Sequence, residues 1–197
     1  MGCNQRLQTK LVTQANLTLA AINNFKDAYA WRKFNLSWND TCTILSDTMD
    51  HHFLLVCDES ECLRVLPNLP MGPVLPPITT HHARDLLADL LQYAQQYAYA
   101  LEIMFLDQSL HEDTFQAHVD EIYRQMEGLV TSLHYGLHQC QVSPREMHIR
   151  RLLGKVYKGA DTTMRDERGF RTLRQCYLGI QYIRQVFSTN EIYTLFS

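Results

Sequence analysis

From Asn4 to Ala30 the apolar residues Leu11, Ala15, Leu19, Ile22 and Tyr29, joined by Phe25, recur at three- and four-residue steps. Only a helix gathers that spacing onto one face, so it predicts an amphipathic helix A over about 4–30. The pattern breaks at Trp31. Segment 31–78 holds five of the six prolines and three of the six cysteines, and reads as a long cross-linked loop with a short helix around Thr43–Asp50. Helix C is predicted over about 79–107, with Thr79 or Thr80 as its cap and Leu86, Leu87, Leu90, Ala94, Tyr97, Leu101 and Phe105 on one side. Helix D, about 110–141, starts after Ser109 with an acidic first turn at His111, Glu112 and Asp113. Its stripe is Phe115, Val119, Ile122, Met126, Leu129, Leu133 and Leu137. Ser143-Pro144-Arg145-Glu146 is a capping box with proline at the first helical position, predicting helix E over about 144–158 with Ile149, Leu152, Leu153 and Val156 inside. Helix F, about 165–190, runs through Phe170, Leu173, Tyr177, Ile180, Ile183 and Phe187.

No run alternates as a strand would, so the expected class is all-α: about five main helices, each burying its single apolar face in a bundle. The long loop after helix A can travel the length of a helix, which permits an up-up start to the topology. With 197 residues, 46% hydrophobic and 20% charged, the chain 1–197 is expected to form one packed domain. Net charge is -3, from 18 Lys and Arg against 21 Asp and Glu, so the chain lacks the positive field that nucleic-acid binders use. No apolar run is long enough to span a bilayer, and no hydrophobic signal core follows Met1-Gly2-Cys3.

Cysteine and asparagine add a compartment. Cys3, Cys42, Cys57, Cys62, Cys140 and Cys176 form an even, widely spaced set, suited either to three long-range disulfides or to reduced thiols in a cytosolic core. Three sequons, Asn16-Leu17-Thr18, Asn35-Leu36-Ser37 and Asn39-Asp40-Thr41, crowd the first quarter of the chain and favour secretion with glycosylation at Asn16, Asn35 and Asn39. The expectation is therefore a mature secreted form, with Met1 added for expression.

Candidate chemistry is sparse. Cysteine and histidine show no zinc-ligand spacing; His134 and His138 stand four apart on a helix, which suits either a metal pair or a solvent-facing polar edge, and no third ligand is placed by local spacing. Ser46-Asp47 and Asp58-Glu59-Ser60 are the only hints of a nucleophile, and there is no Gly-x-Ser-x-Gly elbow, phosphate loop or dinucleotide turn. Neither an enzyme, a cofactor nor a resident metal is expected. Arg145, His148, Arg150, Arg151, Lys155 and Lys158, then Arg165, Arg168, Arg171 and Arg174, form either a basic face for an acidic partner such as a glycosaminoglycan, or an ordinary solvated surface.

These residues resemble type I interferons, helical cytokines of the class II group. His111-Glu112-Asp113-Thr114-Phe115 followed by Val119 to Leu129 resembles their fourth helix. His148-Ile149-Arg150-Arg151-Leu152-Leu153-Gly154-Lys155-Val156-Tyr157 resembles the fifth, and Cys176-Tyr177-Leu178-Gly179-Ile180 to Phe187 the last. Cys62-Leu63-Arg64 before a proline-rich stretch is similar to the loop after the first helix, and Cys3 matches the family's first cysteine. The chain departs from the family at Cys140, which stands about two helical turns late, in its longer loop with an extra cysteine pair, and at Leu178, where a tryptophan is usual. An interferon-lambda or interleukin-10 type relative fits the same pattern.

The resemblance implies an up-up-down-down cytokine bundle whose long loop is disulfide-linked, with Cys62 bonded to Cys176, Cys3 to Cys140 and Cys42 to Cys57. It implies a secreted, extracellular signal that brings two chains of a class II cytokine receptor together and activates the kinases bound to them, in an antiviral or immune response. Carried over residue by residue, the main receptor face combines Leu63, Arg64 and Leu66 with Tyr182 and Val186, and a second face lies on the helix C and D side. Tyr182 has a plainer reading as packing at the edge of the core. The alternatives are a long-chain cytokine of the interleukin-6 and leukaemia inhibitory factor type, or a helical carrier or receptor decoy that does not signal.

Overall fold

The structure is a computed structural model and describes residues 5–47, 55–57, 62–64, 66, 67, 69, 79–111, 114–145 and 161–188. Among them are five helices, α1 (Gln5–Phe34), α2 (Trp38–Asp47), α3 (Thr80–Leu110), α4 (Gln116–Gln139) and α5 (Thr162–Ser188). Two three-residue strands, β1 (Leu55–Cys57) and β2 (Cys62–Arg64), pair antiparallel in the α2–α3 connection. The class is all-α, with this hairpin as a small addition.

Local chemistry sets the helix ends, and it shifts several of them from the periodicity reading. The first helix continues past Ala30 to Phe34, where Asn35 takes φ 55° and its N–H donates to the Trp31 carbonyl. Asparagine tolerates that left-handed conformation better than most residues. Ser37 then caps α2: its Oγ accepts from the Asp40 N–H at 3.1 Å and donates to Asp40 Oδ2 at 2.6 Å. This starts the short helix at Trp38 instead of Thr43. Thr79 caps α3 by accepting from the His82 N–H.

The fourth helix begins only at Gln116, behind a Phe115 cap that lends no side-chain bond, so the acidic first turn expected after Ser109 is not part of it. Its other end closes in a Schellman turn, with Gln141 at φ 53° and the Val142 N–H donating to the Leu137 carbonyl. Pro144 and Arg145 follow outside any helix, and the remainder of the expected helix E lies outside the described residues. Asp161 Oδ1 accepts the Met164 N–H and opens α5.

Four of the helices share one core. Its layers come from Leu11, Ile22, Phe25 and Tyr29 of α1, Leu87, Leu90, Leu91, Tyr97 and Leu101 of α3, Val119, Ile122, Met126 and Leu129 of α4, and Phe170, Leu173, Cys176, Ile180 and Ile183 of α5. Leu86 and Phe105, expected on the inner side of α3, are only partly buried against it. Cross-helix contacts give the directions. Gln8 donates to the Phe187 carbonyl and Tyr29 to the Asp166 carbonyl, so α1 is antiparallel to α5. Gln14 meets Gln125, and Phe25 meets Phe115 at 5.1 Å, so α1 is antiparallel to α4 as well. Likewise α3 opposes α5 through Asp107 with Arg168, and α4 through Gln95 with His134.

Tyr97 of α3 packs tightly on α5 at Gly179, where an added Cβ would overlap its ring. Glycine there leaves room for the phenol against the helix. Among the described residues the Tyr97 hydroxyl has no hydrogen-bond partner, and burial pushes its pKa far up.

Candidate interaction surface

The receptor-facing residues suggested by resemblance do not lie together. Leu66 is 1% exposed and Val186 is 0%, so both belong to the core and neither offers a contact to another molecule. The reason is geometric. The last helix is flanked by α1 and α3, with α2 against it through Trp38 and Phe170 at 4.6 Å, and so it buries a wider arc than one apolar stripe. Leu63 and Arg64 sit in β2, opposite Val56 and Leu55, and their side chains lie outside what is described.

Tyr182 is placed differently. It is half-buried at the edge of the core, and one helical turn before it Leu178 is 40% exposed. Burial raises the Tyr182 phenol above its ordinary pKa, and Tyr93 and Asp89 of α3 add to the shift. Tyr93 is raised in the same way by burial and by Asp89, while Arg145 opposes it. The Asp89 carboxyl is itself raised, chiefly by burial, against the pull of Arg145, which bonds it directly. Arg145 also reaches Asp85 at 4.0 Å, and Asp85 holds His81 at 3.0 Å.

Two phenols, a carboxylate and a guanidinium therefore line a strip from α5 across α3 to the end of α4. Beyond it lies an open groove of about 540 Å³ lined by His81, Arg84, Asp85, Ala88, Gln141, Val142, Ser143 and Arg145. Such a strip offers flat apolar area with hydrogen-bonding edges, the mixture that protein contacts concentrate on. Asp85, Asp89 and Tyr93 recur every four residues along α3, the one signal in the sequence that could have revealed it.

The basic face is not assembled among the described residues. Arg168 forks onto Asp107 at 2.9 and 2.7 Å, Arg171 is buried beside Glu167, Arg174 bonds the Cys42 thiol, and Arg145 is held by the two α3 aspartates. Each of these guanidiniums is already paired within the protein, Arg145 at an exposed position. His148, Arg150, Arg151, Lys155 and Lys158 lie outside the described residues. His134 contacts Gln95 at 3.2 Å, and both His134 and His138 are exposed.

The cysteines depart from the expected pairing. Cys42 and Cys176 are free thiols, which removes the Cys62–Cys176 and Cys42–Cys57 bridges. Cys176 is fully buried in the core, and burial pushes its thiol far up. Cys140 is disulfide-bonded to a cysteine outside the described side chains. The sequon residues Asn16, Asn35 and Asn39 are all exposed.

Comparison with models of known families, with curated proteins and with solved structures found no match.

Proposed function

We propose that this protein is a secreted, interferon-like helical cytokine that brings together two cell-surface chains of the class II receptor type and so starts receptor-associated kinase signalling in an antiviral or immune response. The observation that carries the reading is the direction of the helices. Since α1 and α3 each oppose both α4 and α5, the first two long helices are parallel and the last two are parallel: an up-up-down-down bundle with its long connection after the first pair of elements. That order requires the α2–α3 link to return along the bundle, as the prolines and the length of segment 48–79 allow.

Signalling of this kind needs two separate contact faces. The first is the Tyr93, Tyr182, Asp89 and Arg145 strip with Leu178, in place of Leu66 and Val186; the second lies on the outer side of α4. The test is to add oxidised protein to cells displaying pairs of class II receptor chains and to measure kinase phosphorylation. Phosphorylation that requires both chains supports the reading. Binding to one chain without phosphorylation converts it to a receptor decoy, and no binding to any pair removes it. Tyr182→Ala should weaken binding to one chain about 10- to 100-fold, as loss of a tyrosine anchor of about 2 kcal/mol does.

A further inference from the structure

We propose that Cys57 and Cys62 form a disulfide across the β1–β2 hairpin, a bridge internal to the long connection that ties it to no helix. The hairpin register sets these two residues directly opposite each other. Opposed residues of antiparallel strands have Cα atoms about 4.5 or 5.5 Å apart, according to the type of pair, and both distances fall inside the roughly 4.4–6.8 Å span of disulfides. The register therefore gives a Cα spacing compatible with the bond.

The other cysteines leave this pair to itself. Cys42 and Cys176 are thiols, the first on α2 with Arg174 of α5 beside it and the second fully buried in the core. Cys140 already has its bond. The partner that chain connectivity brings to Cys140 is Cys3: α1 starts two residues after it, and Leu7 in the first turn packs on Gly136, one turn before Cys140. The sequence between the hairpin cysteines, Asp58-Glu59-Ser60-Glu61, is acidic, with Asp58 following Cys57 and Glu61 preceding Cys62 in the chain. Negative neighbours raise a thiol's pKa, make it a poor leaving group and slow attack by an incoming thiolate, so the bridge should resist reduction.

Formation is by exchange with a small-molecule disulfide such as oxidised glutathione. The two cysteine thiols form one S–S bond, the oxidant's S–S bond breaks, and it leaves as two thiols carrying both protons and both electrons. The bridge rests on the extracellular reading only for its oxidising compartment.

The experiment is alkylation of the full-length secreted protein after unfolding without reductant, followed by cleavage after Glu59 and Glu61 and peptide mass spectrometry. The expected result is one Cys57–Cys62 linked peptide pair, two mass units below its separate thiols, with alkyl groups on Cys42 and Cys176. Alkylated Cys57 and Cys62 with Cys140 still bridged overturns this proposal and leaves the extracellular reading standing. A link from Cys57 or Cys62 to Cys42, Cys140 or Cys176 overturns it too, and alkylation of all six overturns both.

Discussion

The two ends of the helical core are held by different physics. At one end Leu7, Leu11, Leu133 and Leu137 pack with Phe187 near the Cys140 disulfide, a mainly aliphatic and covalently tied layer. At the other end Phe25 stands edge-on to Tyr29 and Phe115, Trp38 leans on Phe170, and buried charges run through the packing: Arg168 on Asp107, Lys33 on Asp166 at 3.0 Å, and Tyr29 donating to the Asp166 carbonyl. Aliphatic layers are indifferent to partner and angle, whereas a buried ion pair specifies one geometry and is costly when half of it is lost. One fold thus carries a redox-sensitive end and a charge-sensitive end.

The contrast is most severely tested by Arg168→Ala. Asp107 is 6% exposed, so stripping its partner should cost about 3–5 kcal/mol in denaturant unfolding, and a loss below about 1 kcal/mol would show that water replaces the guanidinium. Next comes Cys140→Ser, expected to remove about 2–4 kcal/mol and to speed amide exchange in the first turn of α1 and the last turn of α4, with Tyr29 and its neighbours unchanged. Equal acceleration at both ends would abolish the distinction.

Midway, Gly179→Ala should cost about 1–3 kcal/mol in a thermal melt, because its methyl group collides with the Tyr97 ring; a neutral outcome would mean that α3 and α5 separate freely. The mildest effect is expected from alkali. Tyr93, Tyr97, Tyr182 and Cys176 all have raised folded-state pKa values, so the folded protein holds these protons more tightly than the unfolded chain. Their contribution is complete below the ordinary thiol and phenol values, about 8.5 and 10, and is lost as pH climbs through the folded values. A denaturant midpoint that stays flat from pH 8 to 11 would contradict this.

The helices were legible because a 3.6-residue repeat leaves its mark in sequence wherever one face is buried. Their ends were less so. A single left-handed asparagine carries α1 to Phe34, and a cap without a side-chain bond delays α4 to Gln116, neither of which periodicity can register. Site residues failed for a further reason. Val186 next to Phe187 reads as one inward and one outward position, yet both are 0% exposed because α5 has neighbours on several sides. Leu66 belongs to a proline-rich loop and looks like surface until long-range packing is known. Tyr182 could be read as an edge position from the sequence, but its neighbours Tyr93, Asp89 and Arg145 come from two other places in the chain, and only the antiparallel register joins them.

The hydroxyls two residues after Asn16 and Asn39 carry an order of events. Thr18 is 0% exposed and donates to the Gln14 carbonyl, and Thr41 is 1% exposed and donates to the Ser37 carbonyl. An enzyme that must grip both asparagine and threonine finds only the asparagine on the finished protein. Any sugar on these two residues is therefore attached while the chain is still emerging, and a fold that closes too quickly would leave the same sequence bare.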